Sequence, residues 1–413
     1  MRFFLFRIFF LLILLGIQFF FFRRAEKYLK EKSKGKILLW IERTLFILFN
    51  IPLVIFSFSR PSSTSILPLI LYGVYYPVFL WNGTLVILFL ISRILKLIEL
   101  PFRFSFWFGK KIPSIKNKII KLESQPSYQS FNVSRRKFLQ NGMISLAGVS
   151  FAGTAYGAFV HDDFEITQQT IAIKNLPPQF QNFSISLISD IHSSVFMPKS
   201  DMQKYVAAVN ELKSDITFVT GDFVNSMVEE VYPFAEAFVD LKAPHGVYGC
   251  LGNHDFFSDV ETIAKEVEQC GIKLLRDETT TIEKNGEKLF LLGVDDFGNR
   301  QTAAERFPKL TAKTENNIPK ILLCHRPYFF EQAKNANIDL TLSGHTHGGQ
   351  VVFAKFGQTA ITPALVASPY IWGLYYNDEA QMYVSRGIGT VAIPIRINCP
   401  PEITKITLVN KTL

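Results

Sequence analysis

Cysteine is scarce in this chain, and acid is nearly missing from one end of it. The four cysteines, Cys250, Cys270, Cys324 and Cys399, form no CxxC pair and no zinc-finger spacing. A zinc ribbon and a disulfide-dense scaffold are thereby excluded. The thiols read as core residues, with an isolated disulfide left open should the domain be exported. Residues 1–160 hold five acidic side chains against 22 Lys and Arg, whereas the remainder holds 30 acidic and 22 basic. The whole-chain pI of about 9.2 therefore reports the first third alone. The acidic remainder shows no basic stripe, so it carries no strong signal for nucleic acid as partner. Internal repeats and long low-complexity linkers are also lacking.

What the first third has in abundance is apolar sequence. Four stretches approach the roughly 20 residues that a membrane span requires: 3–22, 37–59, 66–92 and 142–160. Arg7 and Gln18 interrupt the first, Glu42 and Arg43 lie early in the second, and Asn82 is the strong polar residue of the third. Lys and Arg crowd the intervals 23–36 and 93–141, while 60–65 has only Arg60. Positive charge stays on the cytoplasmic side. The expectation is a multi-pass protein of a bacterial cytoplasmic (inner) membrane, with membrane lipids as its surroundings. A crossing at 142–160 would place 161–413 on the outer, periplasmic face; without it the domain would face the cytoplasm. Leu95 to Phe108 mixes aromatics with Lys96, Pro101 and Arg103, and reads either as an interfacial segment or as a loop between spans. Ser134 to Leu139, with Arg135 and Arg136 before a weakly apolar run, resembles a twin-arginine export signal, which would make the export machinery a partner. Its internal position departs from that pattern, and simple flanking charge is the competing reading.

From about Phe164 the pattern changes. Short apolar strands at 183–190, 215–222, 246–255, 288–296, 320–327 and 338–349 end in polar residues. Helical periodicity appears at 201–213, 228–242 and 259–271. This alternation predicts α/β layers. Further strands after residue 350 favour two packed sheets flanked by helices over one doubly wound sheet.

The polar ends carry the chemistry: Asp190-Ile191-His192, Gly221-Asp222, Gly252-Asn253-His254-Asp255, His325 and Gly344-His345-Thr346-His347. Carboxylate, amide and imidazole ligands suit divalent Mn, Fe, Zn or Co. Asp190 and His192, like His345 and His347, are two residues apart, which on an extended strand would aim both side chains the same way. Arg326 and Arg386 read either as phosphate contacts or as ion-paired residues, and Gly348-Gly349-Gln350 as a pocket rim or a plain turn. His161 and His245 fall outside the pattern.

In this order the motifs resemble those of the calcineurin-like metallophosphoesterase superfamily. Extended through VSRGIG and RINCPPEI, the likeness reaches the membrane-associated phosphodiesterase branch typified by YkuE and YaeI. The resemblance implies a four-layer α/β sandwich over 161–413, preceded by transmembrane helices within 1–160. It also implies two divalent ions, Mn being the natural one to supply in vitro. Asp190, His192 and His347 would bind one, and Asn253, His325 and His345 the other. Asp222 would bridge them. A metal-activated hydroxide would hydrolyse a phosphodiester or pyrophosphate. His254 would contact the phosphate or protonate the leaving group, and Asp255 would orient His254. Ser193 stands where glycine is common, and Asn225 where aspartate is; both place substrate contacts in question rather than the ligands. Three functional readings follow: hydrolysis of a membrane-associated phosphoester or lipid-linked pyrophosphate; UDP-2,3-diacylglucosamine pyrophosphatase action in lipid A synthesis; and an inactive membrane scaffold that retains the fold.

Overall fold

A computed structural model of the chain describes residues 2–32, 36–58, 70–130 and 164–411, except 358 and 393, with a few residues between 134 and 152. The chain separates into two compact units, one of helices and one holding everything from Phe164 onward.

The first unit contains α1 (Arg2–Lys32), α2 (Lys36–Phe58), α3 (Tyr76–Gly109) and α4 (Pro113–Glu123). Among the described residues, Ile8–Glu31 and Lys36–Phe58 are long and apolar enough to cross a membrane. This protein is accordingly membrane-associated. Leu11, Leu14, Leu53 and Val78 pack together between the first three helices. Polar side chains join the same region. Gln18 Nε2 donates to Asn50 Oδ1 (2.8 Å) and Asn82 Oδ1 (3.0 Å), and Asn50 Nδ2 and Trp81 Nε1 donate to Gln18 Oε1. The third expected span, 66–92, is described only from residue 70 onward. Its helix does not stop at 92. The expected span 142–160 and the Arg135-Arg136 segment lie largely outside the described residues.

The second unit is the expected α/β sandwich. Its first sheet has the order β1 (Glu165–Ile173), β14 (Glu402–Asn410), β2 (Ser184–Ile188), β3 (Ile216–Thr220), β4 (Val247–Cys250), β5 (Ile272–Leu274). Strands β2 to β5 run parallel, and β14 enters antiparallel to β2. The second sheet has the order β12 (Gly373–Asn377), β13 (Ala380–Val384), β9 (Leu340–Ser343), β8 (Lys320–Leu323), β7 (Glu287–Gly293), β6 (Glu278–Lys284). A short hairpin, β10 (Ala354–Phe356) with β11 (Thr359–Ile361), stands apart.

Period-two burial explains the layering. Ile185, Leu187, Ile216 and Phe218 of the first sheet meet Leu289, Leu291, Ile321 and Leu323 of the second in one core. Their neighbours point the other way. Ile188 and Val219 pack under α5 (Lys199–Glu211), α6 (Val231–Phe238) and α7 (Val260–Gln269). Phe290, Leu292 and Leu322 pack under α8 (Arg300–Thr311) and α9 (Phe330–Asn335). Pro233 is tolerated because it lies in the first turn of α6, where the backbone N–H lacks a helical acceptor anyway. Asp259 caps α7 by accepting from Thr262 N. All four cysteines are buried and unpaired, so the isolated disulfide is not formed.

Candidate metal centre

The ends of β2, β3, β4, β8 and β9 supply the seven residues. β2 ends at Ile188 and β9 at Ser343, so neither Asp190/His192 nor His345/His347 lies on extended strand. The expected shared direction from strand alternation is therefore incorrect. Instead Asp190, His192, Asp222, His345 and His347 all have φ between 50° and 72°. Left-handed backbone is costly for such residues and persists only where the surroundings enforce it. Here neighbouring loops do so. Asp190 N donates to Gly221 O, His192 N to Asp222 O, and Gly389 N to Asp190 O. Two glycines make the close approach feasible: a Cβ at Gly252 would collide with the Asp222 carboxylate, and one at Gly344 with Ser189 and the Asp190 carboxylate.

The side chains converge in two groups. Asp190, His192, Asp222 and His347 bring one ligand atom each within 4.8 Å of one another; Asp222, His325 and His345 do the same. Asp222 belongs to both. Its Oδ1 accepts from His254 N (2.8 Å), and its Oδ2 lies 3.4 Å from His192 Nε2 and 3.2 Å from His325 Nε2. His192 Nε2 faces His347 Nε2 at 3.1 Å, and His345 Nδ1 faces His325 Nε2 at 3.2 Å. His325 Nδ1 lies 2.7 Å from Thr220 O, which fixes the proton there and leaves Nε2 free as a ligand.

This donor set fits divalent cations. His192 Nδ1, His347 Nδ1 and Asn253 Oδ1 are buried without a hydrogen-bond partner. What marks a site built for a further group is that the Nε2 atoms of His192, His325 and His347 converge on the buried Asp190 and Asp222 carboxylates with too few protons to satisfy one another. The electrostatics agree at two of the histidines, whereas at His325 burial is outweighed by the Asp222 and Asp190 charges, which raise the imidazole to about 10. Burial, reinforced by His325, holds the His345 imidazole well below its ordinary value; burial and His192 do the same for His347. Neutral imidazole is the ligating form. Burial works against the Asp222 carboxylate, yet the surrounding His325 and His254 keep it well below the ordinary carboxylate range.

His254 and Asp255 sit in the β4 loop, and Asp255 has partners other than the one expected. Burial lowers the His254 imidazole to about 4, and its Nδ1 hydrogen-bonds the carbonyl of Asn225. Asp255 does not orient it. The Asp255 carboxylate is fully buried and accepts from Asp222 N, Phe223 N, Val224 N and Gly252 N at 2.8–3.2 Å. It ties two ligand-bearing loops together. Burial and the Asp222 charge push its carboxyl up to about 7, while the Gly252 and Val224 amides pull it back. Asn225 acts through its backbone carbonyl, so the change from aspartate is accommodated there. Ser193 Oγ donates to Glu230 O, and Glu230 Oε2 accepts from Asn225, Ser226 and Met227 N.

Arg386 is ion-paired with Glu165 and Glu402, and Arg326 is held by both oxygens of Asp296. Gly348, Gly349 and Gln350 form a tight left-handed turn, and the Gln350 side chain bonds both backbone groups of Val391. His245 packs its ring on Phe183 away from the centre, and His161 lies outside the described residues. Sequence reasoning missed Arg396. This fully enclosed guanidinium has no carboxylate among its hydrogen-bond partners. It donates to the carbonyls of His347, Arg386, Gly387, Gly389 and Cys399. A lone cation inside RINCPPEI was the available signal.

Comparison with known proteins agrees with this geometry. Residues 183–349 match the family described as calcineurin-like phosphoesterase. The chain is 30% identical to the uncharacterized metallophosphoesterase YkuE of Bacillus subtilis, over 67% of this chain and 98% of that protein. It is also 30% identical to phosphodiesterase YaeI of Escherichia coli, over 67% of this chain and 100% of that one. A transmembrane protein with metallophosphoesterase domain from Danio rerio is 32% identical over 59% of this chain, a match that spans only 57% of the zebrafish protein.

Proposed function

The chain belongs to the calcineurin-like phosphoesterases, and we propose that it is a two-metal phosphodiesterase or pyrophosphatase of the YkuE/YaeI-like kind, acting on a membrane-associated substrate. The carrying observation is that Asp222 lies in both ligand groups. Asp190, His192 and His347 would hold one divalent ion; Asn253, His325 and His345 would hold the second, with Asp222 shared. When bound, such ions polarise phosphoryl oxygens and lower the pKa of water towards neutrality.

The chain's own groups do the rest. Asp222 and its neighbours fix the spacing of the ligands before substrate arrives, and the Asp255 cradle keeps the β3 and β4 loops in register. His254 donates its Nδ1 proton to the Asn225 carbonyl, which leaves Nε2 to address the substrate. In the neutral ring Nε2 carries a lone pair. An incoming phosphate anion favours a second proton, which His254 then donates to a phosphate oxygen or to the departing oxygen.

The location is part of the same proposal: a membrane region over 1–160 and a catalytic domain over 161–413, on the outer face of a bacterial cytoplasmic membrane. The basic intervals 23–36 and 93–141 support it, and the Arg135-Arg136 segment suggests the twin-arginine route. The test is a screen of the purified full chain, loaded with Mn, Fe, Zn or Co, against a simple diester, a monoester and UDP-2,3-diacylglucosamine. Turnover of the diester alone supports the proposal. Turnover of the nucleotide lipid alone would replace it with the lipid A reading, and turnover of nothing with the scaffold reading.

A further inference from the structure

Helix α3 is longer than a membrane crossing needs. Its 34 residues extend about 51 Å at 1.5 Å per residue, against a hydrocarbon core of about 30 Å. The first half packs on α1 and α2: Phe79 meets Phe56, Asn82 accepts from Gln18, and Phe89 meets Phe20. Arg93 marks the end of that half. Its guanidinium lies over the Phe20 and Phe89 rings, and Arg24 covers Phe20 from the α1 side. At this level the apolar run of α1 gives way to Arg23 and Arg24. The helix nevertheless continues to Gly109.

That continuation is rich in apolar side chains that no other described residue covers. Leu97, Phe102, Phe104 and Trp107 are 66%, 73%, 60% and 57% exposed. Phe104 stacks along Phe108 and Trp107, and Lys111 lies over the Trp107 ring. The chain then reverses. α4 returns with Ile115 and Ile119 against Gly109, where an added Cβ would meet Ile119 at 3.0 Å. An open apolar cleft forms between the two helices, lined by Phe104, Phe106, Phe108, Ile112, Ile115 and Ile119. Lys110 Nζ closes the hairpin on Glu123 at 2.7 Å. Residues 94–123 carry seven basic side chains against two acidic ones.

Large aromatics beside lysines, on a helix longer than a crossing needs, fit an interfacial element. Water leaves the aromatics exposed, and the hydrocarbon core would bury the lysines. The headgroup layer accommodates both, and an anionic one complements the charge. We propose that residues 94–123 are a hairpin seated in the headgroup layer of an anionic leaflet, where it gathers acidic phospholipid around the protein.

The four native cysteines are buried, so single cysteines introduced into the full chain report cleanly. Spin labels at F104C, W107C and, as an exposed reference on the second unit, Y376C would be read in nanodiscs of phosphatidylcholine with phosphatidylglycerol. Labels at 104 and 107 are expected to collide with oxygen in preference to a water-soluble nickel chelate, and the reference to show the reverse. Each neutralisation among K110Q, K111Q, K116Q, K118Q and K121Q is expected to lower enrichment of phosphatidylglycerol around the protein by about fivefold at most. Nickel accessibility at 104 and 107 equal to the reference would overturn the proposal. So would spin–spin broadening that vanishes on dilution with unlabelled protein, because it would show a second copy covering the face. Unchanged lipid enrichment in the fivefold glutamine variant would remove the anionic preference.

Discussion

The two units of this chain treat the backbone in opposite ways. Among the described residues, every positive φ lies in the second unit, and five of them belong to candidate metal ligands. The helices of the first unit satisfy their own N–H and C=O groups, as a hydrocarbon surrounding demands. Their polar side chains act between helices, as Gln18, Asn50 and Asn82 do. In the second unit the sheets take up the regular hydrogen bonding and leave irregular loops at strand ends. The lesson is that reactive groups gather where the backbone has been released from repetition and then pinned again by its neighbours.

The sharpest way to break this contrast is at the shared ligand. Asp222→Ala or His347→Ala is expected to reduce diester turnover to background with Mn²⁺ present, while membrane insertion is unchanged. Near-normal rates in either variant would refute the ligand assignment. Chelation of the wild-type protein is expected to mimic the substitution, and added metal to reverse it.

Next in size is the carbonyl cage. Arg396→Met removes the donor that five carbonyls share, of which His347 O and Gly387 O keep the Gln350 and Glu402 amides, and loosens the loops behind His347 and Asp190. Metal affinity, measured by calorimetry, is expected to fall about 10–100-fold, the usual scale for groups that orient ligands. Arg396→Lys should recover part of the loss. A melting temperature that drops equally with and without metal, at unchanged affinity, would assign Arg396 to stability alone.

A smaller effect is expected in the helices. Gln18→Leu removes the hydrogen bonds to Asn50, Asn82 and Trp81, and an interhelical bond of this kind contributes about 0.6–2 kcal/mol within a membrane. The first unit should unfold more readily in detergent titration, with diesterase activity retained. Abolished activity at intact secondary structure would mean that the two units are coupled.

The smallest effect concerns Asp215, which joins β2 to β3 by accepting from Ser184 N and Oγ at 2.8 and 2.6 Å. Burial pushes its carboxyl up, but these bonds outweigh burial and hold it below its ordinary value. A depressed folded-state pKa stabilises above the unfolded value near 4 and loses that contribution as pH falls through the folded value. Asp215→Asn is therefore expected to cost about 1 kcal/mol at pH 7 after solvent screening, with the gap to wild type closing in acid. A gap independent of pH would point to packing instead of charge.

Much of this was legible in the sequence because ligand type and order survive as short motifs. Asp190-Ile191-His192 and Gly344-His345-Thr346-His347 announce the site without any knowledge of their geometry. The left-handed backbone of those residues was hidden, since loops distant in sequence impose it. Asp255 looked like a partner for His254 because the two are adjacent; its four amide donors come from residues 222–224 and 252. Arg396 gave no sign of its carbonyls for the same reason. In the first unit, apolar length marked the two helices that are long enough to cross a membrane. The overrun of α3 was obscured because Arg93 and Lys96 looked like an end, whereas neither residue stops a helix and Pro101 falls inside it.

One property of the second unit bears on where it can work. Burial raises the thiols of Cys250, Cys270, Cys324 and Cys399, and none is bridged. A thiol that stays protonated and out of reach is a poor target for oxidant and a poor partner for glutathione. The domain therefore has no stake in the redox poise of its surroundings. It can keep one shape in a reducing interior, during passage, and in an oxidising exterior, needing neither an isomerase to complete it nor a reductase to maintain it.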